Sequence, residues 1–499
     1  MRGRAFSFLM GEDEIVALRR EKLEKIRSNG IDPYPARVQR SHNAKEAVEL
    51  LDRSSDAQEI VSVVGRVTAM RRMGRASFLD LKDGSGRIQA YLKQETLGVE
   101  DYDRLLHTID LGDFLGVKGS LFRTKTGEPT IEATVVTVLA KALRPPPEKW
   151  HGLQDVEVRY RQRYLDLMAN PEVRDTFVTR SRIIQRIRRF MDSRGYLEVE
   201  TPILQSAAGG AAARPFVTYH NALDRRQFLR ISLELYLKRL VIGGFDKVYE
   251  IGRIFRNEGV STKYNPEFTM LESYEAYADY TVLMEMVEEM VSTTAGDVLG
   301  STLIQAGDTE LELAPPWPRI PLRDAIRERS GVDFDSYSDV EGLRRAAAGT
   351  GVPVEPSWGR GKIIDELLTI HVETHLIQPT FLIDYPVELS PLAKRKRESP
   401  HLVERFELFI GGREVANAYS ELNDPIDQRE RLLEQSRLRA AGNDEAETAD
   451  EDFLIALEHG MPPAAGLGIG IDRLVMALTG SSSIREVILF PALREKGDA

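Results

Sequence analysis

Apolar positions along the chain change their spacing several times, and each change marks a different kind of element. Residues 13–28, DEIVALRREKLEKIRS, place Ile15, Leu18, Leu23 and Ile26 near helical spacing, with arginine and lysine on the remaining faces. This predicts a helix that either docks on a neighbouring surface or contacts RNA, and Gly30, Pro33 and Pro35 end it. From 60 to 141 the period drops to two. IVSVVGRVTAMRRM, ASFLDLKDGSGRIQAYL, DFLGVKGSLFRT and EPTIEATVVTVLAK are strand-like runs divided by DGSG, LGD and TKTGE turns. Short strands at this spacing predict a small barrel, and their order fits an OB-fold. RPPPEKWHGL at 144–153 is a proline-rich hinge. Helical spacing returns at 175–193, where Phe177, Ile183, Ile184, Ile187 and Phe190 form an apolar face; Gly195 stops that helix, and YLEVETPIL reads as a strand. Further strands are expected at FLRIS, VYEIGRIFR, TFLIDYP, RFELFI and EVANAYSEL, with helices at ELYLKRLVIG, TVLMEMVEEMV, GKIIDELLTIHVETH and DQRERLLEQSRLRAA. Many of these strands are not separated by helices, so the fold class is α+β: a barrel plus an antiparallel sheet flanked by helices. Residues 297–360 are less patterned, and 442–452 read as an acidic exposed loop.

Length and composition narrow the class. At 499 residues the chain exceeds one core, and roughly two to four domains are expected. The shifts in pattern divide it into a helical extension (1–55), a barrel (56–145), a linker (146–172) and a large domain (173–499). No run approaches a membrane span. The N-terminal apolar patch is too short for a secretion signal and lacks a small-residue cleavage site, so a cytoplasmic protein is expected. The absence of cysteine excludes disulfides, thiolate metal sites and a cysteine nucleophile, and the eight histidines show no paired metal spacing. With a net charge of −11, any nucleic-acid contact must come from a local basic face. In the barrel region Arg66, Arg71, Arg72, Arg75 and Lys82 offer one. Phe78 and Gln89 lie on the runs where such barrels hold single strands; Phe78 is either a stacking platform or a core residue.

Three separated stretches carry candidate chemistry. In RIFRNEGVSTKYNPEFTMLESY (253–274), Arg253 and Arg256 stand at one lip of a polar loop, and Glu272 and Tyr274 share a strand face at the other. In RFELFIGGREVANAYSEL (405–422), Gly411–Gly412 predicts a two-residue hairpin. Phe409 then faces Glu414 and Glu407 faces Ala416, which puts Glu407 and Glu414 on one face as diagonal neighbours. Two such carboxylates are either a Mg²⁺ pair or solvated surface glutamates. Simple alternation puts Asn417, Tyr419 and Glu421 on the opposite face unless the strand bulges near Ala416. In AGLGIGIDRLVMALTG (465–480) the G-x-G-x-G spacing lacks the βαβ context of a dinucleotide fingerprint, and no P-loop occurs anywhere. What remains is a glycine strand entering a helix whose first turn carries Asp472 and Arg473; that arginine either meets a phosphate or pairs with a neighbour.

RGYLEVETPIL, FRNEGVSTKYNPEF and GLGIGIDR resemble motifs 1, 2 and 3 of the class II aminoacyl-tRNA synthetases (about 180–204, 247–274 and 466–480). Within the class, GGAAARPF, ELYLKRLVIGGF, NPEFTMLESYEAYADY, FIGGREVANAYSELNDP and MPPAAGLGIGIDR resemble the lysyl-tRNA synthetase subfamily. The resemblance implies that Arg256 grips the α-phosphate of ATP and the amino-acid carboxylate. It puts Glu258 at adenine and the tRNA acceptor end, stacks Phe268 on adenine, gives the γ-phosphate to Arg473 and sets Glu407 and Glu414 to hold Mg²⁺. It implies roughly three Mg²⁺ ions per site, a homodimer built on motif 1, and tRNA(Lys), lysine and ATP as partners. Many members carry histidine where this chain has Tyr264; a tyrosine can hydrogen-bond a phosphate but cannot become cationic near neutral pH. Lysine needs a long slot ending in an anion. Glu421 suits the ε-ammonium with Tyr274 and Tyr419 beside it, Glu234, Glu272 and the Gly210 backbone suit the α-ammonium, and Asn417 suits the carboxylate. On the barrel, Phe78, Gln89 and Glu128 match the subfamily's anticodon-reading positions. Two rival readings keep the fold: a non-catalytic RNA-binding paralogue, and an enzyme that lysylates a protein.

Overall fold

Strict alternation of buried and partly exposed positions begins at Ile60, as expected of a strand with one face on a core. The computed structural model describes residues 11–53, 59–147, 153–440 and 450–494. The N-terminal apolar patch, part of the hinge and most of the acidic 442–452 stretch lie outside them. The chain divides into two compact units, Met1–Leu153 and Gln154–Ala499.

In the first unit, β1 (Ile60–Met73), β2 (Ala76–Lys82), β3 (Arg87–Lys93), β4 (Phe114–Arg123) and β5 (Pro129–Ala140) close a barrel in the order β1-β2-β3-β5-β4. Val63, Leu79, Ala90, Val117 and Ile131 fill its interior. Helix α1 (Glu12–Ser28) sends Ile26 into the same core, while Arg19 donates to the carbonyls of Ala142 (2.8 Å) and Leu111 (3.1 Å). Leu18 stays exposed, so this is a docked helix with a solvated face.

The second unit is built on an eight-stranded sheet. Its strands are β6 (Leu197–Glu198), β7 (Lys247–Phe255), β8 (Glu267–Ala276), β9 (Arg319–Pro321), β10 (Thr380–Ile383), β11 (Arg405–Ile410), β12 (Arg413–Ser420) and β13 (Ala464–Gly470). Their order is β9-β10-β11-β12-β13-β8-β7-β6; only the end strands β9 and β6 run parallel to their neighbours. Helices α2 (Pro171–Ser193), α4 (Tyr280–Leu299) and α5 (Ile471–Thr479) cover one face, packing on Leu271, Phe406, Leu408, Leu467 and Ile469. Helix α3 (Glu234–Ile242) lies on the other. The α+β class with its barrel and antiparallel sheet is thus the observed fold.

Three expectations change. The apolar face of α2 is covered by the chain itself, since Ile183, Ile187 and Phe190 join the sheet core, so it does not need a partner subunit to keep it dry. The strand expected over YLEVETPIL is broken in two: Leu197–Glu198 pair in the main sheet and Leu204 pairs with Leu229 outside it, because between them the N–H of Thr201 donates to the Glu250 carboxylate (2.9 Å) instead of a ladder and Pro202 follows. The FLRIS run falls in a separate three-stranded sheet, paired through Arg225–Leu229. Residues 297–360, unpatterned in sequence, hold a short hairpin and two helices, Leu322–Ser330 and Val340–Gly349, that share a core with helix Arg360–His371.

Candidate active site

The sequence AAGLGIG in β13 is sorted by its period of two. Leu467 and Ile469 enter the core, and Gly466, Gly468 and Gly470 take the opposite face. Gly468 lies between Glu272 of β8 and Asn417 of β12; Gly466 lies between Tyr274 and Tyr419. The floor is therefore bare along its middle row and lined on both banks. A Cβ added at Gly466 would sit 2.1 Å from Oε1 of Glu421 and 2.5 Å from Cε1 of Tyr274, so only glycine fits.

Three carboxylates close this slot. Glu234, Glu272 and Glu421 are almost wholly buried. Glu272 accepts from the Leu233 N–H (2.9 Å) and the Ser232 hydroxyl (3.2 Å), and the Tyr274 hydroxyl reaches it at 3.4 Å. Tyr419 donates its hydroxyl to Glu234 at 2.7 Å. One turn along α3, the Lys238 ammonium lies 2.6 Å from Glu234 and 2.5 Å from Oε2 of Glu421. Oε1 of Glu421 is buried without a hydrogen-bond partner among the described residues. Burial, then the charge of Glu234, pushes Glu272 up to about 7. Burial raises Glu421 too, against the pull of Lys238. Gly210 adopts φ +82° and packs so tightly on Ser232 and Glu234 that its Cβ would meet Ser232 Oγ at 2.9 Å.

The hairpin corrects the expected register. Gly411 and Gly412 form the turn with positive φ, and Phe409 does face Glu414. A β-bulge follows, and Glu407 pairs with Asn417 rather than Ala416. Val415 and Ala416 both enter the hydrophobic core, and that extra residue turns Asn417 and Tyr419 onto the face of Glu407. Glu414 and Glu407 thus share a bank with the glycine-floored slot. Arg405 ties the row together: it donates to Glu407, to Asn417 Oδ1 (3.1 Å) and to the Leu389 carbonyl (2.6 Å). Tyr385 donates to the other Glu407 oxygen at 2.7 Å. Burial raises the Glu407 pKa, Arg405 opposes the rise, and Glu414 adds to it.

Arg473, in the first turn of α5, donates to the Glu414 carboxylate (2.8 Å) and carbonyl (3.0 Å), and its guanidinium lies 5.8 Å from the Tyr264 ring. Arg256 follows β7; its N–H donates to the Pro266 carbonyl at 2.9 Å, which joins the two lips of the loop. Its guanidinium stands 5.3 Å from the Phe268 ring. Burial lowers the Arg256 pKa, and Glu258, Glu414 and Glu272 pull the other way. Glu258 itself is exposed in the loop. Asp472 points away from the cleft: it accepts from the Thr269 N–H (2.7 Å) and pairs with Arg180 of α2 (2.5 Å), fastening motif 3 to motif 1.

On the barrel, Phe78 points outward, away from the core, and stacks on Tyr91 with ring centroids 4.6 Å apart; Phe122 lies 6.1 Å beyond. Gln89 shares that face and accepts from Thr130 at 3.2 Å, and Glu128 pairs with Arg87. Cations on this face are Arg71, Lys82, Arg87 and Lys93; Arg72 is spent on the Leu106 carbonyl and Arg66 covers Phe114.

Residues 155–494 match the family model of class II tRNA synthetases (D, K and N), and 61–139 match the OB-fold nucleic acid binding domain. Lysine–tRNA ligase from Moorella thermoacetica is 56% identical over 488 residues, 98% of this chain and 99% of that protein. The Carboxydothermus hydrogenoformans lysine–tRNA ligase is 56% identical over 484 residues, covering 97% and 99%. The Bacillus cereus enzyme is 53% identical over 486 residues, covering 96% and 97%. The chain belongs to the lysine–tRNA ligase family of class II tRNA synthetases.

For a class II synthetase that uses ATP, the acidic hairpin must be tested as a magnesium site. Among the described residues no group of three or more acidic or histidine side chains is placed to hold a metal ion. Glu407 and Glu414 nevertheless fit the ion: they share a face, and burial and mutual repulsion disfavour charge on Glu407, which a cation between them relieves. Two carboxylates, with phosphate oxygens and water completing the shell, are a usual magnesium donor set. Sequence reasoning missed Lys238 and Arg405. The signals were faint: an i,i+4 Glu–Lys pair on α3, and an arginine two residues before Glu407 on one strand face.

Proposed function

We infer that this lysine–tRNA ligase family member activates L-lysine with ATP and transfers the lysyl group to the 3′-end of tRNA(Lys). One observation carries the substrate: a glycine-floored slot closed by three buried carboxylates, one with a free buried oxygen. A diamino acid offers two ammonium groups to such a slot, whereas aspartate or asparagine would bring a carboxylate or amide to the Glu421 end. In this reading Glu421 and Tyr274 receive the ε-ammonium, with Tyr419 on the bank. Glu234, Glu272 and the Gly210 backbone receive the α-ammonium, and Asn417 with Arg256 the carboxylate.

The lysine carboxylate attacks the α-phosphorus in line, forming lysyl-adenylate and releasing pyrophosphate; the tRNA terminal hydroxyl then displaces AMP. No side-chain nucleophile is required, so catalysis is positioning and charge stabilisation. Arg256 meets the α-phosphate and Phe268 stacks on adenine. Glu258 sits at the loop rim where adenine and the acceptor end arrive, and Arg473 with Tyr264 takes the γ-phosphate. Glu407 and Glu414 would hold magnesium, roughly three ions per site as the resemblance implies, which would supply charge neutralisation to the phosphates. The stacked Phe78, with Gln89 and Glu128, reads the anticodon.

A homodimer is part of the same reading. Support comes from apolar side chains exposed around motif 1 and the small sheet: Leu197 (48%), Leu204 (46%), Val217 (59%) and Leu223 (54%). A monomeric mass by light scattering of an active preparation overturns the dimer. Among the described residues no helix is long and apolar enough to cross a membrane. The amino acid is tested by ATP–pyrophosphate exchange across a panel: lysine supports exchange, and exchange driven equally by aspartate or asparagine rejects the reading.

A further inference from the structure

The reaction as described gives no work to Lys238, yet its side chain is fully buried at the far end of the lysine slot. Its ammonium touches two carboxylates on different elements, Glu234 at 2.6 Å on α3 and Glu421 at 2.5 Å beyond β12. The rings of Tyr419 and Phe453 stand 5.7 and 5.8 Å from it. From β8, Glu272 and Tyr274 face the same cluster. Oε2 of Glu421 is ion-paired with Lys238, while Oε1 is buried, makes no hydrogen bond among the described residues and borders the bare patch above Gly466.

We propose that Lys238 is a positioning and specificity-determining residue for lysine recognition: it clamps one oxygen of Glu421, leaves the other for the substrate's ε-ammonium, and sets the charge of the slot to match a diamino acid. The inference rests on the lysine-activating reading above. With lysine bound and the carboxylates ionised, Glu234, Glu272 and Glu421 bring three negative charges and Lys238 one positive charge. Two negative charges remain for the two ammonium groups of lysine, and Arg256 remains for its carboxylate. Lys238 keeps its proton, because Glu234 and Glu421 outweigh the burial that alone would discharge it. Even so, burial beside Glu234 and Glu272 holds Glu421 up at about 8 and Glu272 at about 7, so near neutrality the empty slot holds a proton that lysine displaces. Without Lys238 it would retain an additional proton, and lysine would have to displace that proton to bind.

The test is Lys238→Met, with KM for lysine followed in ATP–pyrophosphate exchange from about pH 6.5 to about pH 8.5. In the native protein KM falls with rising pH and levels off near the upper end. In the variant it should be at least about tenfold higher at neutrality and still falling roughly tenfold per pH unit at the top of the range. A merely structural role lifts the whole curve without moving the point where it levels, and that outcome overturns the proposal. Should the methionine variant not fold, calorimetry of lysine binding to the native protein in buffers of different ionisation heat decides. Release of fewer than two protons per lysine near neutrality supports the proposal, and release of two or more overturns it. A native protein that shows no lysine-dependent exchange strikes the lysine-activating reading itself, not the role of Lys238.

Discussion

Gly466→Ala adds one methyl group to the floor of the lysine slot. Gly466 does not have a positive φ, so alanine imposes no backbone strain and its effect is purely steric. The new Cβ falls 2.1 Å from Glu421 Oε1 and 2.5 Å from Tyr274 Cε1, so both must retreat by on the order of 1 Å to reach ordinary contact. Neither can do so cheaply. Glu421 is 1% exposed and held at 2.5 Å by Lys238, and Tyr274 is 3% exposed among buried neighbours. A displacement of about 1 Å at a recognition group costs on the order of a hundredfold in rate, and overpacking a buried site costs about 1–3 kcal/mol of stability. The kcat/KM for lysine in ATP–pyrophosphate exchange should therefore fall roughly a hundredfold, while Tm drops by a few degrees and KM for ATP barely changes. A folded variant with kcat/KM for lysine within about threefold of native refutes the reasoning, because the Glu421 carboxylate would then not be the group lysine meets.

Three further outcomes are expected. Glu414→Gln should reduce exchange by roughly a hundredfold at ordinary magnesium while barely changing KM for lysine, and near-normal exchange dismisses the hairpin as the metal site. Phe78→Ala should weaken tRNA charging by the loss of about 1–3 kcal/mol of stacking and leave exchange untouched; equal losses in both assays mean that the ring is structural. Glu272 has a folded pKa of about 7 against an ordinary 4.5, so between these values the folded chain holds a proton that the unfolded chain has released. Its contribution to stability therefore declines as pH rises through that window and is constant above it. Glu272→Gln, neutral throughout, should flatten the change in Tm between about pH 5 and about pH 7.5, and an unaltered pH dependence rules out the shift.

The periodic parts of the chain were legible, and the parts set by tertiary packing were not. Period-two runs delimit the five barrel strands, and period 3.6 finds α3 nearly to the residue and the start of α4, whose last eight residues it misses, because each buries one regular stripe. The hairpin shows the limit. Gly411–Gly412 specifies the turn, but the bulge depends on Val415 and Ala416 both being accommodated by a core made largely from distant segments. Alternation alone therefore puts Asn417 and Tyr419 on the wrong face. The apolar stripe of α2 is visible in sequence, but whether a sheet or a second subunit covers it is not. In AAGLGIG the spacing signals closeness to a ligand, yet only the flanking strands reveal what each glycine makes room for. Lys238 reads as an ordinary helix-surface partner of Glu234 until Glu421, 183 residues on, is brought to its other side.

The most direct measurement is the ratio of kcat/KM for lysine to that for norleucine, in the native protein and in Glu421→Gln. Norleucine keeps the length of lysine and lacks only the ammonium. Breaking a buried ion pair by removing one partner costs about 3–5 kcal/mol, so the ratio should collapse by at least about a hundredfold in the variant, with ATP affinity preserved. A variant that folds, turns over and keeps the native preference for lysine would place the ε-ammonium elsewhere and contradict the assignment of the slot.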